Sequence, residues 1–321
     1  MLLPLSAGQV QQWDVSGAVT VDNVPGLADN HELLGRLQRL MARHMPRANN
    51  GGAPQRVAST NDWLHDWPSE ASQPMCDLVQ LPFFEAAAKQ LLRAGSVFHS
   101  NNSVVVSYPA AGCTPQPGNG EASGHIDQML TLEELEATPR RCVVSFFVWI
   151  AEATPLRGPL MYRPGSHRLI AARNSATGTD SISRSGETTA FPDLAELDGS
   201  GLQTELFAEA VPAVGKAGSC TLTTTCVVHG ASPNLDTVPR LSAHITFAEC
   251  SFVKRGHEGT FRFRKQPAER HWRLRLAKQR YWQTLHARFR PERRHICCLQ
   301  ESWADDPEEA ICTAFRRAAR L

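Results

Sequence analysis

The N-terminal third of the chain carries apolar residues at helical spacing. Segment 27–45 places an apolar residue every three or four positions, which predicts an amphipathic helix with one buried face. A second helix is predicted over 81–95, because Pro82 lies near its start and Gly95 at its end. The apolar positions of the first helix are Leu33, Leu34, Leu37, Leu40 and Met41.

The opening of the chain predicts shorter elements. The stretch "LSAGQVQQWDVSG" is typical of a short capped helix that ends in a turn at Gly17, and a strand is predicted over 18–24. Segment 49–73 is rich in Asn, Gly and Trp, so we expect a loop there.

The middle of the chain changes to short runs of β-branched and aromatic residues separated by Gly and Pro. Such runs predict a sandwich or jelly roll. We therefore expect one domain over 1–321, mainly β with flanking helices and with a β core over about 96–252. Segment 171–202 is rich in Ser, Thr and Gly, and it is either a lid over a site or a mobile surface loop. The runs are 96–110, 140–153, 158–167, 219–230 and 240–252.

Bulk composition narrows the classes of protein. The formal net charge of +1 gives no overall attraction to nucleic acid or to an anionic membrane. The nine cysteines include no C-x-x-C pair, which argues against a disulfide framework and a zinc ribbon. The apolar run 142–151 has about half the length of a membrane span, and the N-terminus lacks the basic region of a signal peptide. We expect a soluble, cytoplasmic protein in a reducing compartment.

One segment near the C-terminus is strongly basic, although the net charge of the whole chain is close to zero. Residues 254–294 hold 14 of the 33 Lys and Arg residues against three acids, with aromatic residues interleaved. The segment opens a predicted helical C-terminal extension over about 254–321. It is either a basic surface for phosphates, nucleic acid or coenzyme A, or a helix that packs its aromatic residues and solvates its charges. We favour the packed helix, because runs of charged residues are usually solvent-exposed faces of helices.

The candidate chemistry begins with His125 and Asp127. Residues two apart on a strand share a face, so this pair can bind one metal ion, although about one His-x-Asp is expected by chance in such a chain. Two histidines and one carboxylate hold Fe(II) and leave positions open for substrates. His229 ends a predicted strand and can supply the third ligand. Arg240, eleven residues later, suits the far carboxylate of a keto-acid co-substrate.

These elements resemble the phytanoyl-CoA dioxygenase family. The resemblance rests on "HID" (125–127), "GPLMYRPGSHR" (158–168) and "HGASPNLDTVPRLSAHITF" (229–247), and it runs from about residue 5 to residue 250. It implies a double-stranded β-helix, the jelly-roll or cupin-like fold. It also implies a non-haem dioxygenase that uses Fe(II), O2 and 2-oxoglutarate to hydroxylate, or otherwise oxidise, a small organic substrate.

The resemblance also assigns roles to residues. His125, Asp127 and His229 would be the iron ligands, and Arg240 would bind the C5 carboxylate of 2-oxoglutarate. Tyr108 is a further candidate for contact with the co-substrate. The family's halogenases lack the carboxylate ligand, so Asp127 favours hydroxylation or a related oxidation.

One position departs from the family pattern, and two histidines lie near the motifs. Family members often have a hydroxyl residue two positions after the distal histidine, whereas this chain has Ala231, followed by Ser232. We expect His167, in the "PGSH" turn, to be structural. His244 alternates with apolar neighbours on its strand, so its side chain faces either the interior of the barrel or the opposite side of the sheet.

Two other functions remain open. The same iron centre would act on a nucleic acid or other macromolecule if segment 254–294 grips one. Alternatively, the chain is a non-catalytic β-barrel binding protein, although the intact set of His125, Asp127, His229 and Arg240 argues against that. We expect a small-molecule substrate and no membrane partner. The sequence does not identify the substrate or the oligomeric state.

Overall fold

A computed structural model describes most of the N-terminal and central parts of the chain, and every structural statement below refers to these residues. Three predicted features lie outside them: His125 with Asp127, the segment 171–202, and most of the C-terminal extension. The described residues are 3–44, 64, 66–110, 143–169, 207–224, 227–249 and 283–297, together with the backbone of 54–59.

Helix α1 (Ala7–Ser16) confirms the predicted capped helix. The Ser6 side chain accepts a hydrogen bond from the backbone N–H of Gln9, and the Gln9 side chain accepts one from the backbone N–H of Ser6. This reciprocal capping box satisfies two N–H groups that the first helical turn leaves unpaired. Gly17 ends the helix with a φ of 80°, a conformation that favours glycine.

Three further helices form a layer beside the sheet: α2 (His31–His44), α3 (Ser69–Val79) and α4 (Pro82–Leu92). Helices α2 and α4 confirm the two predicted helices. Helix α3 corrects the prediction of a loop over 49–73, since it begins inside that segment. Pro74 lies within α3 and argues against a helix in sequence reasoning, yet the apolar side chains around it are buried in the core and hold the helix in place.

Two antiparallel sheets follow. The larger sheet has the strand order β1-β7-β4-β9-β3-β2, and the smaller sheet has the order β6-β5-β8. The predicted run 219–230 splits into β7 and β8, which belong to different sheets, and β2 and β6 were not predicted. The strands are β1 (Ala18–Val21), β2 (Pro54–Ser59), β3 (Val97–Ser107), β4 (Val143–Trp149), β5 (Leu160–Tyr162), β6 (Val211–Ala213), β7 (Cys220–Thr224), β8 (His229–Ala231) and β9 (Arg240–Glu249).

The two faces of the larger sheet differ in composition. Its outer face packs under the helices, where the Phe84 ring of α4 meets the Phe146 ring edge-on at 5.3 Å between centroids. Its inner face turns toward the smaller sheet, and the Phe147 ring lies 5.8 Å from the ring of His229 on β8. Outer-face residues of β4 and β9 are Val144, Phe146, Val148, Leu241, Ala243, Ile245 and Phe247, while inner-face residues include Ser145, Phe147, Trp149, Arg240, Ser242, His244 and Thr246.

The described part of the basic segment packs on the helices. Residues 283–288 are helical, a 3-10 helix follows at Pro291–Cys297, and Phe289 is buried in the same core as α3 and α4. Arg293 Nη1 lies 2.7 Å from Glu85 Oε2 of α4. Part of the basic charge is therefore used within the protein. No helix in the described ranges is long and apolar enough to cross a membrane.

Candidate active site

His229 opens β8 and is buried. Its Nδ1 lies 2.9 Å from the carbonyl oxygen of Val227, and because a carbonyl oxygen only accepts hydrogen bonds, Nδ1 carries the proton. The neutral ring then has its lone pair on Nε2, an atom through which histidine binds metals. The hydrogen bond therefore fixes the tautomer and the ring direction that a metal ligand requires.

The segment that leads into β8 is held by the turn that follows β5. The backbone N–H of Val228 donates to Ser166 Oγ at 2.8 Å, and the Val228 carbonyl accepts from the backbone N–H of Arg163, also at 2.8 Å. In the same turn, His167 Nε2 lies 3.1 Å from the carbonyl oxygen of Asp14, so this histidine ties the turn to α1. This geometry agrees with the structural role expected for the "PGSH" motif.

Arg240 opens β9 and is 4% exposed. Its guanidinium carbon lies 5.7 Å from the centroid of the Trp149 ring, a cation–π geometry. Arg240 Nε and Trp149 Nε1 are both buried, and neither has a hydrogen-bond partner among the described residues. Burial lowers the pKa of Arg240 to about 10, which still leaves the guanidinium charged at neutral pH.

This arrangement fits an anionic ligand. A buried cation without a counter-ion is costly, and a buried N–H without an acceptor costs about 1–3 kcal/mol. A carboxylate would satisfy the guanidinium, since it accepts several hydrogen bonds and pairs with Arg bidentately, and the Trp149 indole lies on the neighbouring strand.

The turn between β8 and β9 sets the position of Arg240. The Asn234 side-chain amide donates to the carbonyl oxygens of Ser107 at 2.8 Å and of Val238 at 2.9 Å. Gly158 packs against Ser107 and Asn234, and its φ is 55°. A Cβ at this position would lie 2.5 Å from Ser107 Oγ, so a larger residue does not fit. Since Ser107 is the cross-strand partner of Arg240, these contacts fix the end of the sheet where Arg240 begins.

The remaining predicted site residues are placed only in part. Tyr108 follows the Ser107–Arg240 pair directly, and burial raises the pKa of its phenol, so it is protonated at neutral pH. His125 and Asp127 lie outside the described residues. Within the described ranges, no three His, Cys, Asp or Glu side chains form a metal-binding group, as expected when two of the three proposed ligands lie elsewhere.

The sequence profile of the family described as phytanoyl-CoA dioxygenase (PhyH) matches residues 14–242, most of the 321-residue chain. The chain belongs to the phytanoyl-CoA dioxygenase family. Membership makes it an oxygenase-type enzyme of the class that uses iron and 2-oxoglutarate. The segment 283–297, which packs on α4, lies beyond the part that matches the family.

Solved structures share the fold of this dioxygenase. The non-heme alpha ketoglutarate dependent carbocyclase SnoK from nogalamycin biosynthesis is 14% identical, with a TM-score of 0.50 over 77% of this chain and 85% of its own. AviO1 from Streptomyces viridochromogenes Tue57 is 18% identical, with a TM-score of 0.50 over 78% of this chain and 97% of its own. No curated protein sequence matches the chain.

The structure also clarifies the departure from the family pattern. Ser232 Oγ donates to the carbonyl oxygen of Pro159 at 2.7 Å, so its proton is used within the turn. Ala231 shares a face of β8 with His229, because the two are separated by one residue. The position that holds a hydroxyl in many members of the family thus carries a methyl group here, and Ser232 is engaged elsewhere.

Three rings lie near His229, and the sequence pattern, which indicated only a core or pocket-wall position for Phe147, did not show that they meet. Tyr162 is its cross-strand partner, Phe147 meets it edge-on, and His244 stacks on Phe147 at 4.5 Å between centroids. Tyr162, Phe147 and His244 are half-buried, whereas Arg240 and Trp149 are buried. The side chains beside His229 are therefore more accessible to solvent than those around Arg240. Alternation along β4 and β9 gives the face of each residue, but only the folded chain shows which rings meet.

Proposed function

We propose that this protein is a non-haem Fe(II)- and 2-oxoglutarate-dependent dioxygenase that hydroxylates a small organic substrate. In this proposal the two sheets are the halves of a double-stranded β-helix, and His125, Asp127 and His229 hold the iron. The observation that carries the proposal is the buried Arg240 with its unsatisfied Nε, eleven residues after a histidine whose Nδ1 is fixed by a backbone carbonyl.

Arg240 would hold the C5 carboxylate of 2-oxoglutarate at the closed end of the cavity. Its guanidinium supplies the charge, and the Trp149 indole N–H is a second donor beside it. These groups need little movement to accept the ligand, since Trp149 is buried and Arg240 is fixed by its pairing with Ser107. The proposal therefore assigns orientation of the co-substrate to this pair.

His229 would present Nε2 to the iron from the opposite sheet. The carbonyl of Val227 holds the proton on Nδ1, so the ring needs no tautomer change before it binds metal. Iron with bound 2-oxoglutarate supplies the activation of O2 and the oxidation of a C–H bond, with release of succinate and CO2. The chain supplies ligation, orientation and a cavity shielded from water by the two sheets.

The half-buried rings beside His229 indicate where the substrate enters. Phe147, Tyr162 and His244 are half-buried and would form the wall of the substrate entrance. Burial raises the pKa of Tyr162, so its phenol is a neutral hydrogen-bond donor at neutral pH. A small organic molecule would therefore meet two aromatic rings and an imidazole in front of the iron.

The test is substrate-stimulated succinate formation. The purified protein is loaded with Fe(II) and 2-oxoglutarate and screened with fractions of a metabolite extract. We expect His125→Ala, Asp127→Ala and His229→Ala to abolish the stimulated signal, whereas His31→Ala, at an exposed helix position, should retain it. Wild-type turnover in the His125 and Asp127 variants would refute the proposed iron site.

A further inference from the structure

The strand that carries His229 has little support of its own. Strand β8 is three residues long, and it pairs only with β5 among the described strands. The hydrogen bond from Nδ1 to Val227 fixes the tautomer and the direction of the ring, and it comes from the segment just before the same short strand. Packing against a better supported element would hold such a ligand more firmly.

Phe147 provides that contact from the other sheet. Its ring meets the His229 ring edge-on, with 5.8 Å between centroids and 66° between planes. Phe147 lies on β4, which is paired on both sides, with β7 and with β9. A side chain anchored on a central strand of the larger sheet is thus packed against a ligand at the edge of the smaller one.

Phe147 is itself held flat by His244. The two rings are stacked, with 4.5 Å between centroids and 5° between planes, and the two residues are direct cross-strand partners. Stacking of this kind restricts rotation of Phe147 and adds about 0.5–1.5 kcal/mol to the contact. The order of contacts is therefore His244, Phe147, His229.

We propose that Phe147, backed by His244, is the positioning element of the iron ligand His229. The inference rests on the proposed function, since it takes His229 to be a ligand. Hydrogen-bonding partners that orient a metal-bound histidine typically contribute about 10- to 100-fold to metal affinity, and we expect the packing contact of Phe147 to reach the lower end of that range. Phe147 would act through packing, because it has no polar atom of its own.

Metal affinity measured without turnover tests this directly. Metal-free protein is titrated with Co(II), whose ligand-field absorption reports coordination, and the same titration of His229→Ala identifies the signal of this site. We expect Phe147→Leu to weaken Co(II) binding about 10-fold and to change the absorption spectrum. Phe147→Tyr keeps the ring and should bind Co(II) with an affinity close to that of the wild type.

The matched control is Phe146→Leu. It makes the same substitution one residue earlier, on the outer face, where Phe146 packs on Phe84 and Phe247. This variant should lower the melting temperature of the metal-free protein and keep wild-type Co(II) affinity. If Phe146→Leu weakens Co(II) binding as much as Phe147→Leu does, the effect is general loosening and the inference is overturned.

Variants of His244 separate the stack from other roles of the imidazole. His244→Phe keeps a flat ring against Phe147 and should retain Co(II) affinity, whereas His244→Ala should weaken it several-fold. Equal losses in the two variants would overturn the role of the stack. These variants also serve if Phe147→Leu does not fold.

The outcome for the wild-type protein separates the two proposals. Absence of a Co(II) signal that depends on His229 would refute the proposed iron site and the inference together. Wild-type binding with unchanged affinity in Phe147→Leu and His244→Ala would overturn the inference alone.

Discussion

Alternate residues of β4 and β9 face two environments with opposite properties. On the outer face, the rings of Phe146 and Phe247 lie 6.0 Å apart and are fully buried under the helices. On the inner face of the same two strands, Phe147 and His244 are half-buried, and Arg240 is a buried cation. The outer face of this sheet therefore stabilises the fold by burying apolar rings, whereas the buried charge on the inner face lowers the stability.

The inner face contains several polar groups that the fold itself does not satisfy. Ser103 Oγ and Thr223 Oγ1 are buried and lack a hydrogen-bond partner among the described residues, as do Arg240 Nε and Trp149 Nε1. Each such group costs about 1–3 kcal/mol unless a ligand, water or another part of the chain satisfies it. The outer face has to compensate for this, which leads to predictions that treat the two faces separately.

The largest expected effect is on stability, at the outer face. Phe146→Ala removes a fully buried ring that touches Phe84 and Phe247, and we expect a loss of about 3–5 kcal/mol in the free energy of unfolding. Urea unfolding of the metal-free protein measures it. Phe147→Ala should cost less, because its ring is already partly exposed. Equal losses at the two positions would remove the contrast between the faces.

The next effect is on binding, at the inner face. Arg240→Met removes a buried charge that has no counter-ion among the described residues, so we expect 2-oxoglutarate affinity to fall about 100-fold or more. The free energy of unfolding of the ligand-free protein should stay the same or rise, because Met fills similar space without a buried charge. Thermal unfolding with and without 2-oxoglutarate measures both quantities.

The matched control for Arg240 is Arg36→Met. Arg36 pairs with Asp77 across α2 and α3 at 3.0 Å, and about a third of each side chain is exposed. Its loss should cost less than about 1 kcal/mol and leave 2-oxoglutarate binding unchanged. Unchanged 2-oxoglutarate affinity in Arg240→Met would exclude Arg240 from the co-substrate site.

A third prediction tests whether the C-terminal segment belongs to the outer layer. Glu85 accepts hydrogen bonds from Lys89, Arg293 and His295 at 2.7–2.9 Å. Burial alone would raise the pKa of Glu85, but the hydrogen bonds from Lys89 and His295 and the charge of Arg293 outweigh it and lower the pKa below the ordinary value of 4.5. The charged form therefore stabilises the fold above that pH, and the contribution is lost as the pH falls through the lowered pKa.

Glu85→Gln should thus lower the free energy of unfolding by about 2 kcal/mol at pH 7. This is less than the cost of breaking a fully buried ion pair, because Lys89 and His295 are partly exposed. The difference from wild type should shrink in acid, below the lowered pKa. Urea unfolding at pH 7 and in acid measures this, and limited proteolysis reports release of 283–297. A loss independent of pH would show that the carboxylate charge is not what holds this segment.

Sequence patterns predicted the elements whose periodicity is strong and missed those that depend on tertiary contacts. Helix α2 and strands β3, β4 and β9 follow from apolar spacing. Helix α3 did not, because its Pro74 opposes a helix locally and only packing against the core overrides it. Strand β6 has three residues, too few for any period to be visible.

The site divides in the same way. His229 and Arg240 were recognisable because the turn between them fixes their spacing along the chain. Contacts between the two sheets were not recognisable from sequence, because the residues that face each other depend on how one sheet packs on the other. The edge-on contact of Phe147 with His229 is of this kind. The stack of Phe147 on His244 and the cation–π contact of Arg240 with Trp149 join neighbouring strands of one sheet, and they depend on a strand order that the sequence pattern does not show. The roles of His125 and Asp127 stay predictions from sequence.

The smallest expected effect adds a polar group to the inner face. Ala231→Ser places a hydroxyl on the same face of β8 as His229, where many family members have one. A hydrogen bond to a charged group contributes about 1.5 kcal/mol at the low end, so we expect 2-oxoglutarate affinity to rise about tenfold. Ser232→Ala is the control, because it removes a hydroxyl that donates to Pro159 and should lower stability without changing this affinity. Titration of the iron-loaded protein with 2-oxoglutarate decides between the outcomes. If Ala231→Ser leaves the affinity unchanged, the carboxylate lies out of reach of position 231, and the inner face binds its anion through Arg240 and Trp149 alone.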